Sequence, residues 1–461
     1  MTSTSPLPGT RDRMGAELRR RDYIAATFLH TAHAWGYERL AVPLLERASS
    51  FSEAVIGRSP WPEWNPLGVF TLPVTGYVHG YTEQTETIPA VVIPEGTVSV
   101  ARWLAGHVQQ TGAGALPVKV CYDLPCHRNE PLDTLTGTKL REFSQMGLEI
   151  MGAANPAADT EVLTFIYDVL TALGVAPTAI RARINNVRIF NRAAADSGLD
   201  HETTIAVKEL LDALAECRAG KEADRAPDLR KALAALLDVH QLDAGQRAVW
   251  QALAGHGTRY VDAATRSVLG ARYTVELDAL EAMRTALLAA GIPTSVDLAV
   301  VRSHDYYTGT SFEVDALTGD GRVYAEIAGG GRYDKLIGHF LPESESRSGS
   351  GSGVGVEGGL DAVPSTGFAF GVERLQALLV DLGVFDRPAP VRAGTYRFDD
   401  ASAESLLVPG GEAGSVGGYL RARAGADRLA GRVDVWVGDR RDPAAVAAYA
   451  RAHSIGQVDW C

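Results

Sequence analysis

The stretch between Cys126 and Gly152 constrains this chain more than any other. A first run holds Cys126, Arg128 and Glu130, a polar loop follows, and a second run goes from Leu140 to Gly152. Because side chains alternate faces along a strand, the pattern predicts a strand, a loop and a returning strand. Arg141, Phe143, Gln145, Gly147 and Glu149 then share one face of the second strand, and Met146, Leu148 and Ile150 share the other. Cys126, Arg128 and Glu130 share a face of the first. One side of the hairpin therefore carries guanidiniums, an amide and carboxylates around an aromatic ring, while the other side is apolar and belongs to a core. An arginine suited to phosphate beside a glutamate suits a ligand with both an anion and an amine.

With 461 residues the chain is too long for one ordinary core, and two or three domains are expected. Its hydrophobic fraction, 46%, is that of a globular protein rather than a disordered one. There is no run of 18 apolar residues, so no membrane span is expected. Met1 to Pro8 lacks a charged-then-apolar leader pattern. Cys121, Cys126, Cys217 and Cys461 form no CxxC pair and no zinc spacing, which fits reduced thiols in the cytoplasm. A net charge of −12 argues against a broad nucleic-acid surface and leaves room only for a local basic patch.

In chain order, Leu18, Tyr23, Ile24, Phe28 and Leu29 recur at helical spacing and predict a helix from Gly15 to about His33. Gly36 to Glu46 reads as a turn and a strand, with Pro43 placing it at an edge or interface. Residues 57–80 read as irregular. Val91 to Ile93 is a short strand running into a turn at Glu95 and Gly96, with Thr97 as cap of a helix through Trp103. Glu95, at the strand end, is free either to shape the turn or to face a ligand. Residues 158–173 predict a helix and Ile180 to Ile184 a strand. From about 190 to 270 the chain is rich in Ala, Leu, Glu and Lys at helical spacing. Nothing in that stretch reads as chemistry, and it is expected to be an inserted helical domain.

Polar motifs return at Val300 to Glu313, read as a strand, a polar turn holding Arg302, His304, Tyr306 and Tyr307, and a second strand. The triplet Gly329, Gly330 and Gly331 then precedes Arg332 and Tyr333; consecutive glycines let backbone approach a ligand, although turns use them too. Residues 343–366 are Ser/Gly-rich and read as a flexible loop. Gly367 to Leu375 reads as a strand entering a helix, with Arg374 at the helix start.

These stretches together resemble the class II aminoacyl-tRNA synthetases, and the histidyl-tRNA synthetases in particular. The first family motif is similar to Gly36–Glu46 with Pro43, the second to Arg128–Glu149 and the third to Gly367–Leu375. Two histidine-specific signatures resemble Val301–Phe312 and Gly330–Asp334. The resemblance implies an α+β fold, with an antiparallel sheet flanked by helices, and a homodimer joined through the first motif. It divides the chain into a catalytic core at 1–190 and 270–382, a helical insertion at 191–269 and a small α/β domain at 388–461. It also implies ATP as substrate with Mg2+, and a histidine-like amino acid. Arg128, Arg302 and Arg374 would be catalytic. Arg128, Glu130, Arg141, Phe143 and Arg374 would bind ATP. Glu95, Thr97, Gln145, Glu149, Arg302, Tyr307 and Tyr333 would bind the amino acid.

The chemistry implied is in-line attack of a carboxylate on the α-phosphate of ATP. Both reactants are anions, so the site must supply positive charge, and three arginines do so with planar, multi-donor geometry. The ammonium needs an anion, for which Glu95 or Glu149 serves. There are departures from the family pattern. Ile93 stands where an arginine is usual, the loop after Glu130 is longer, Lys139 replaces an arginine, and Ser303-His304 replaces Gly-Leu. His304 is either a new ligand or base or a structural histidine. From Pro388 onward the chain holds nine Arg, no Lys and nine Asp plus Glu, without the basic excess of an RNA-binding module. The acceptor stays open among tRNA, a small amine and a carrier protein. Beside this ligase stand a histidine-sensing regulatory subunit of ATP phosphoribosyltransferase and a ligand-free structural dimer. The joint presence of Arg128, Glu130 and Arg374 favours the ligase.

Overall fold

In the computed structural model, the described residues are 4–57, 68–78, 83–112, 116–129, 140–220, 222–255, 260–302, 304–341, 362–386, 405–408, 416–426, 433–438, 442–452, 455 and 457–460. The N-terminal part runs α1 (Ala16–Ala34), β1 (Glu38–Arg39), β2 (Leu45–Arg47), α2 (Glu53–Ile56), β3 (Thr71–Val78), β4 (Glu83–Val92) and α3 (Thr97–Thr111). The hairpin follows as β5 (Val118–His127) and β6 (Glu142–Met151), then α4 (Pro156–Ala172) and β7 (Ile180–Asn186). Five helices come next: α5 (Val187–Asp196), α6 (His201–Ala219), α7 (Ala226–Asp238), α8 (Ala244–Gly255) and α9 (Ala263–Leu269). The core resumes with α10 (Thr274–Ala289), β8 (Thr294–Val296), β9 (Thr310–Leu317), β10 (Val323–Arg332), β11 (Ser365–Gly371) and α11 (Val372–Asp381). The C-terminal elements are β12 (Ser405–Val408), α12 (Val416–Ala426), β13 (Val433–Val435), α13 (Pro443–Ala452) and β14 (Gln457–Trp460).

An eight-stranded sheet organises the molecule, in the order β1-β5-β6-β11-β10-β9-β7-β8. Its interior ladders are antiparallel, and only the edge pairs β1–β5 and β7–β8 are parallel. Met146, Leu148 and Ile150 point into the main core, as the alternation requires. There they join Phe368 and Phe370 of β11, Phe28 of α1 and Phe165 of α4. The Phe28 and Phe165 rings meet edge-on at 5.7 Å. Each such buried ring is worth about 1.5–3 kcal/mol relative to exposure. Helix α4 is held across this face by its own start: Asn155 accepts from the N–H groups of Ala157 and Ala158.

Several expectations are corrected. Part of the stretch read as irregular, Thr71–Val78, is a strand paired with β4, so Val91 and Val92 end a ten-residue strand. The alternation there is masked by Pro73 and Pro89, which face each other across the ladder. The strand read across Gly36–Glu46 is only two short pieces, β1 and β2, with Pro43 between them. Thr97 does not cap α3; the two carboxylate oxygens of Glu95 accept the N–H groups of Thr97 and Val98 instead. Val300 and Val301 are not a strand, and the strand before the polar turn is β8. Most of 343–366 lies outside the described residues, and its end, Ser365 and Thr366, belongs to β11.

The five helices between 187 and 269 do not form an apolar cluster of their own. Val207, Leu211, Leu214 and Trp250 lie in the same cluster as Phe312 and Val314 of β9. The C-terminal elements make their own three-stranded parallel sheet, ordered β13-β12-β14. That sheet meets the main core through a buried ion network. Nζ of Lys119 lies 2.7 Å from Glu161 and 2.5 Å from Asp434, and Tyr37 and Tyr449 donate to those carboxylates. Burial alone would lower the Lys119 pKa, but Asp434 and Glu161 outweigh it and hold it above the ordinary lysine value.

Candidate functional site

A cavity of about 350 Å³ opens on the polar face of the sheet between β6, β10 and β11, with α3 and α6 at its sides. Strand alternation delivers Phe143, Gln145 and Glu149 from β6 to its wall. Glu149 is the best-enclosed of these. Tyr333 donates to its Oε2 at 2.6 Å, and Thr97 and Tyr122 donate to its Oε1 at 3.0 and 3.2 Å. Burial pushes its pKa up to about 8, against the pull of those hydroxyls. Glu95 lies beside it, also raised by burial, with Arg128 and two backbone N–H groups pulling the other way. Gln145 accepts from the Gly96 N–H at 3.1 Å, which ties β6 to the turn before α3.

Positive charge lines the other walls. The Arg128 guanidinium lies 4.9 Å from the centre of the Phe143 ring, and its Nε donates to Pro94 O at 2.9 Å. Arg302 comes from the polar turn and Arg374 from the first turn of α11, where β11 enters the helix. Arg302 donates to Glu313 at 2.9 Å and also bonds Glu326. Its guanidinium lies flat over β10, where a Cβ on Gly329 would come within 2.6 Å of it. One role of the glycine triplet is thus to make room for an arginine.

Ten of the site residues read from the sequence line this cavity: Arg128, Arg302, Arg374, Phe143, Glu95, Thr97, Gln145, Glu149, Tyr307 and Tyr333. Arg141 does not; its guanidinium turns to Pro8 O at 2.8 Å. Glu130 and Lys139 lie outside the described residues. Arg332 faces away and fixes the end of β10 to the start of α4 through Asp159, Ala153 O and Asn155 O. His304 is on the cavity wall, its ring 5.1 Å from Tyr306 and 5.9 Å from Tyr307. Burial, with Arg302, Arg128 and Lys208 adding to it, holds His304 well below the ordinary histidine pKa, so the imidazole is neutral.

The sequence reading missed Tyr306, Glu326 and Glu373, and above all Asp212 and Glu216 of α6. The helical stretch read as empty of chemistry thus reaches the site. Its signal is a stripe at four-residue spacing, Lys208, Asp212 and Glu216, next to the apolar face. Lys208 bonds Asp305 at 2.6 Å. Burial raises the Asp212 carboxyl well above the ordinary range, with Glu313 and Glu326 adding to it and Arg302 opposing.

The profile of the family described as histidyl-tRNA synthetase matches residues 91–375. The chain belongs to that family. The match spans seven strands of the eight-stranded sheet, all but β1, and the helices between them. Among its relatives, the chain is 29% identical to a histidine--tRNA ligase of Rhodospirillum rubrum, over 82% of this chain and 76% of that protein. It is 27% identical to an ATP phosphoribosyltransferase regulatory subunit of Rubrobacter xylanophilus, over 94% and 90% respectively. In fold it is similar to a Bacillus halodurans structure described as an ATP phosphoribosyltransferase regulatory subunit/histidyl-tRNA synthetase. That likeness has a TM-score of 0.60 at 18% identity and covers 100% of this chain and 99% of the other. A histidine--tRNA ligase subunit from Alicyclobacillus acidocaldarius gives a TM-score of 0.57 at 24% identity, covering 82% and 98%. The chain's relatives therefore include histidine--tRNA ligases and an ATP phosphoribosyltransferase regulatory subunit.

Proposed function

We propose that the chain activates histidine or a close analogue, joining its carboxylate to the α-phosphate of ATP and releasing pyrophosphate. One observation carries this reading: a single cavity holds Arg128, Arg302 and Arg374 together with Glu95 and Glu149. The arginines suit a triphosphate, and the enclosed carboxylates suit an ammonium and an imidazole N–H. In this reading Phe143, beneath Arg128, is a stacking platform for adenine, with Glu130 as the adenine's polar contact. Arg302 spans the α-phosphate and the amino-acid carboxylate. Thr97, Gln145, Tyr307 and Tyr333 bound the pocket for the side chain. In-line transfer needs these groups to hold charge and position rather than to react. Mg2+ would arrive on the ATP phosphates and share their charge.

The same reading takes the working form to be a homodimer through the Gly36–Glu46 region. Leu44 and Leu45 expose 42% and 45% of their surface there, and Val74 of β3, across β4 in the same three-stranded sheet, exposes 40%. It places the protein in the cytoplasm, in keeping with the free, buried Cys121, Cys126 and Cys217. Among the described residues no helix is long and apolar enough to cross a membrane.

A second reading, a histidine-sensing regulatory subunit, is favoured by the Rubrobacter relative, which aligns over 94% of this chain. The two separate in one assay, amino-acid-dependent exchange of pyrophosphate into ATP with a panel of amino acids. Exchange with histidine or a close relative supports the ligase. Tight histidine binding without exchange for any amino acid supports the sensor.

A further inference from the structure

Glu326 sits between two of the arginines and is held there by unusual backbone. Its φ is +56°, and Arg302, its partner, has φ +55°. Only four non-glycine residues among those described lie in this left-handed region, and these are two of them. The register of β10 against β9 shifts between Tyr324 and Ala328, which places Glu326 on a bulge. The bulge is pinned from below, since the Glu326 N–H donates to Asp315 at 2.9 Å. Strain of this kind persists only where the surroundings enforce it, and it gathers at functional sites.

The bulge delivers one carboxylate to two cations. Oε1 of Glu326 bonds the Arg302 guanidinium, and Oε2 lies 3.6 Å from that of Arg374. The backbone grips Arg374 as well, which donates to Glu326 O at 2.9 Å and to Ala325 O at 3.3 Å. Arg302 keeps a second partner in Glu313, but Glu326 is the more exposed of its two acids, with 30% of its side chain accessible against 4%. Glu313 is therefore a fixed support, and Glu326 is the anion that an incoming ligand meets. A planar carboxylate on two guanidiniums occupies the donors that phosphate oxygens use.

We propose that Glu326 is a built-in competitor for the nucleotide: it holds Arg302 and Arg374 in place and must give up their donors when phosphate binds. This rests on the reading that those arginines take the phosphates of ATP. It makes Glu326 a positioning residue that opposes ATP through both arginines and the amino-acid carboxylate through Arg302 alone.

The test uses the full chain with Glu326→Gln, which keeps an acceptor and removes the charge. Glu326→Gly serves as the second variant, because it also removes the left-handed strain. ATP binding is measured by calorimetry with and without Mg2+, histidine binding is measured separately, and KM for each is taken from pyrophosphate exchange. ATP affinity should rise about ten-fold in both variants, the effect of freeing one charge-assisted contact, with a smaller rise in histidine affinity, which gains through Arg302 only. Equal ATP affinity in all three proteins overturns the inference and leaves the ligase reading standing. Weaker ATP binding in the variants only when Mg2+ is present makes Glu326 a metal ligand and also overturns it. A parallel loss of histidine and ATP binding shows a merely structural role. ATP binding by none of the three overturns the inference and the ligase reading together.

Discussion

Gly367 and Glu149 face each other across the β6–β11 ladder, and a Cβ on Gly367 would lie 1.6 Å from Oε2 of Glu149. That oxygen is the one to which Tyr333 donates at 2.6 Å. The glycine therefore clears the space in which the most enclosed carboxylate of the cavity meets its tyrosine. Gly367→Ala should swing Glu149 out of register and break that contact. The expected loss in histidine affinity is about 1–3 kcal/mol, the cost of unpairing a buried polar group. Calorimetric titration with histidine, beside a thermal melt to confirm folding, measures it. Unchanged affinity in a folded protein would show that Glu149 takes no part in holding the amino acid.

The raised pKa of Glu149, about 8, has a signed consequence. A carboxyl at about 4.5 in the unfolded chain and about 8 in the folded one contributes stability that is full below pH 4.5. That contribution falls as pH rises and is lost by about pH 8, because the folded state binds the extra proton throughout this window. Glu149→Gln should remove that slope, so the variant gains on the parent as pH rises from 6 to 8. Ligand binding runs the other way: a cationic amino acid favours the ionised carboxylate, so its binding below pH 8 releases a proton. Denaturant melts at several pH values, and calorimetry in buffers of different ionisation enthalpy, read these two effects. A parent with no more pH slope than the variant would place the Glu149 pKa in the ordinary range.

Much of this was legible because strand alternation is a strict rule. Phe143, Gln145 and Glu149 could be placed on one face and Met146, Leu148 and Ile150 on the other from spacing alone. Arg141 obeys the same spacing, yet it sits just before β6 begins, and the backbone there turns its side chain to Pro8. Asp212 and Glu216 were hidden for a different reason. They lie on a helix whose periodicity says only which side is apolar, and the sheet it packs against is set by contacts far away in sequence. Glu326 was hidden because a bulge breaks the alternation that would have assigned its face.

Arg128→Ala and Arg374→Ala should each slow adenylate formation by about 30- to 900-fold while leaving the protein folded. Arg128 is anchored by one carbonyl and a ring face, and Arg374 by two carbonyls and the Glu326 carboxylate, all at the cavity wall, so neither is a keystone of the core. Each removes a charged donor aimed into the cavity, worth on the order of 2–4 kcal/mol of transition-state stabilisation. Pyrophosphate exchange is the measurement. Activity near that of the parent in both variants would dismiss the phosphate role of these arginines.

Lys119→Met should destabilise the whole chain, because it removes the cation that Glu161 and Asp434 share in the interior. Breaking a buried pair on one side typically costs about 3–5 kcal/mol. Adding Asp434→Asn to Lys119→Met should recover part of the loss, since one of the two uncompensated charges is then gone. Denaturant unfolding of the parent, the single and the double variant gives the three values. A double variant no more stable than Lys119→Met alone would show that the Asp434 charge is not what the lysine neutralises.

Charging of tRNA-His should be weak or absent under conditions in which the adenylate forms readily. RNA binding draws on a basic surface that follows the phosphate backbone. The chain from Pro388 onward has nine Arg, no Lys and nine acids, and Arg423 among them is spent over the Trp35 ring, at 4.4 Å from its centre. In the helices between 187 and 269, Arg230 and Lys231 of α7 are exposed, but two other cations are engaged. Lys208 is bound to Asp305 at 2.6 Å and Arg218 to Asp297 at 2.5 Å. The test incubates the protein with ATP, labelled histidine and total tRNA and follows transfer of label. Efficient transfer confined to tRNA-His would overturn the prediction, and the contacts that hold the RNA would then have to lie outside these two regions.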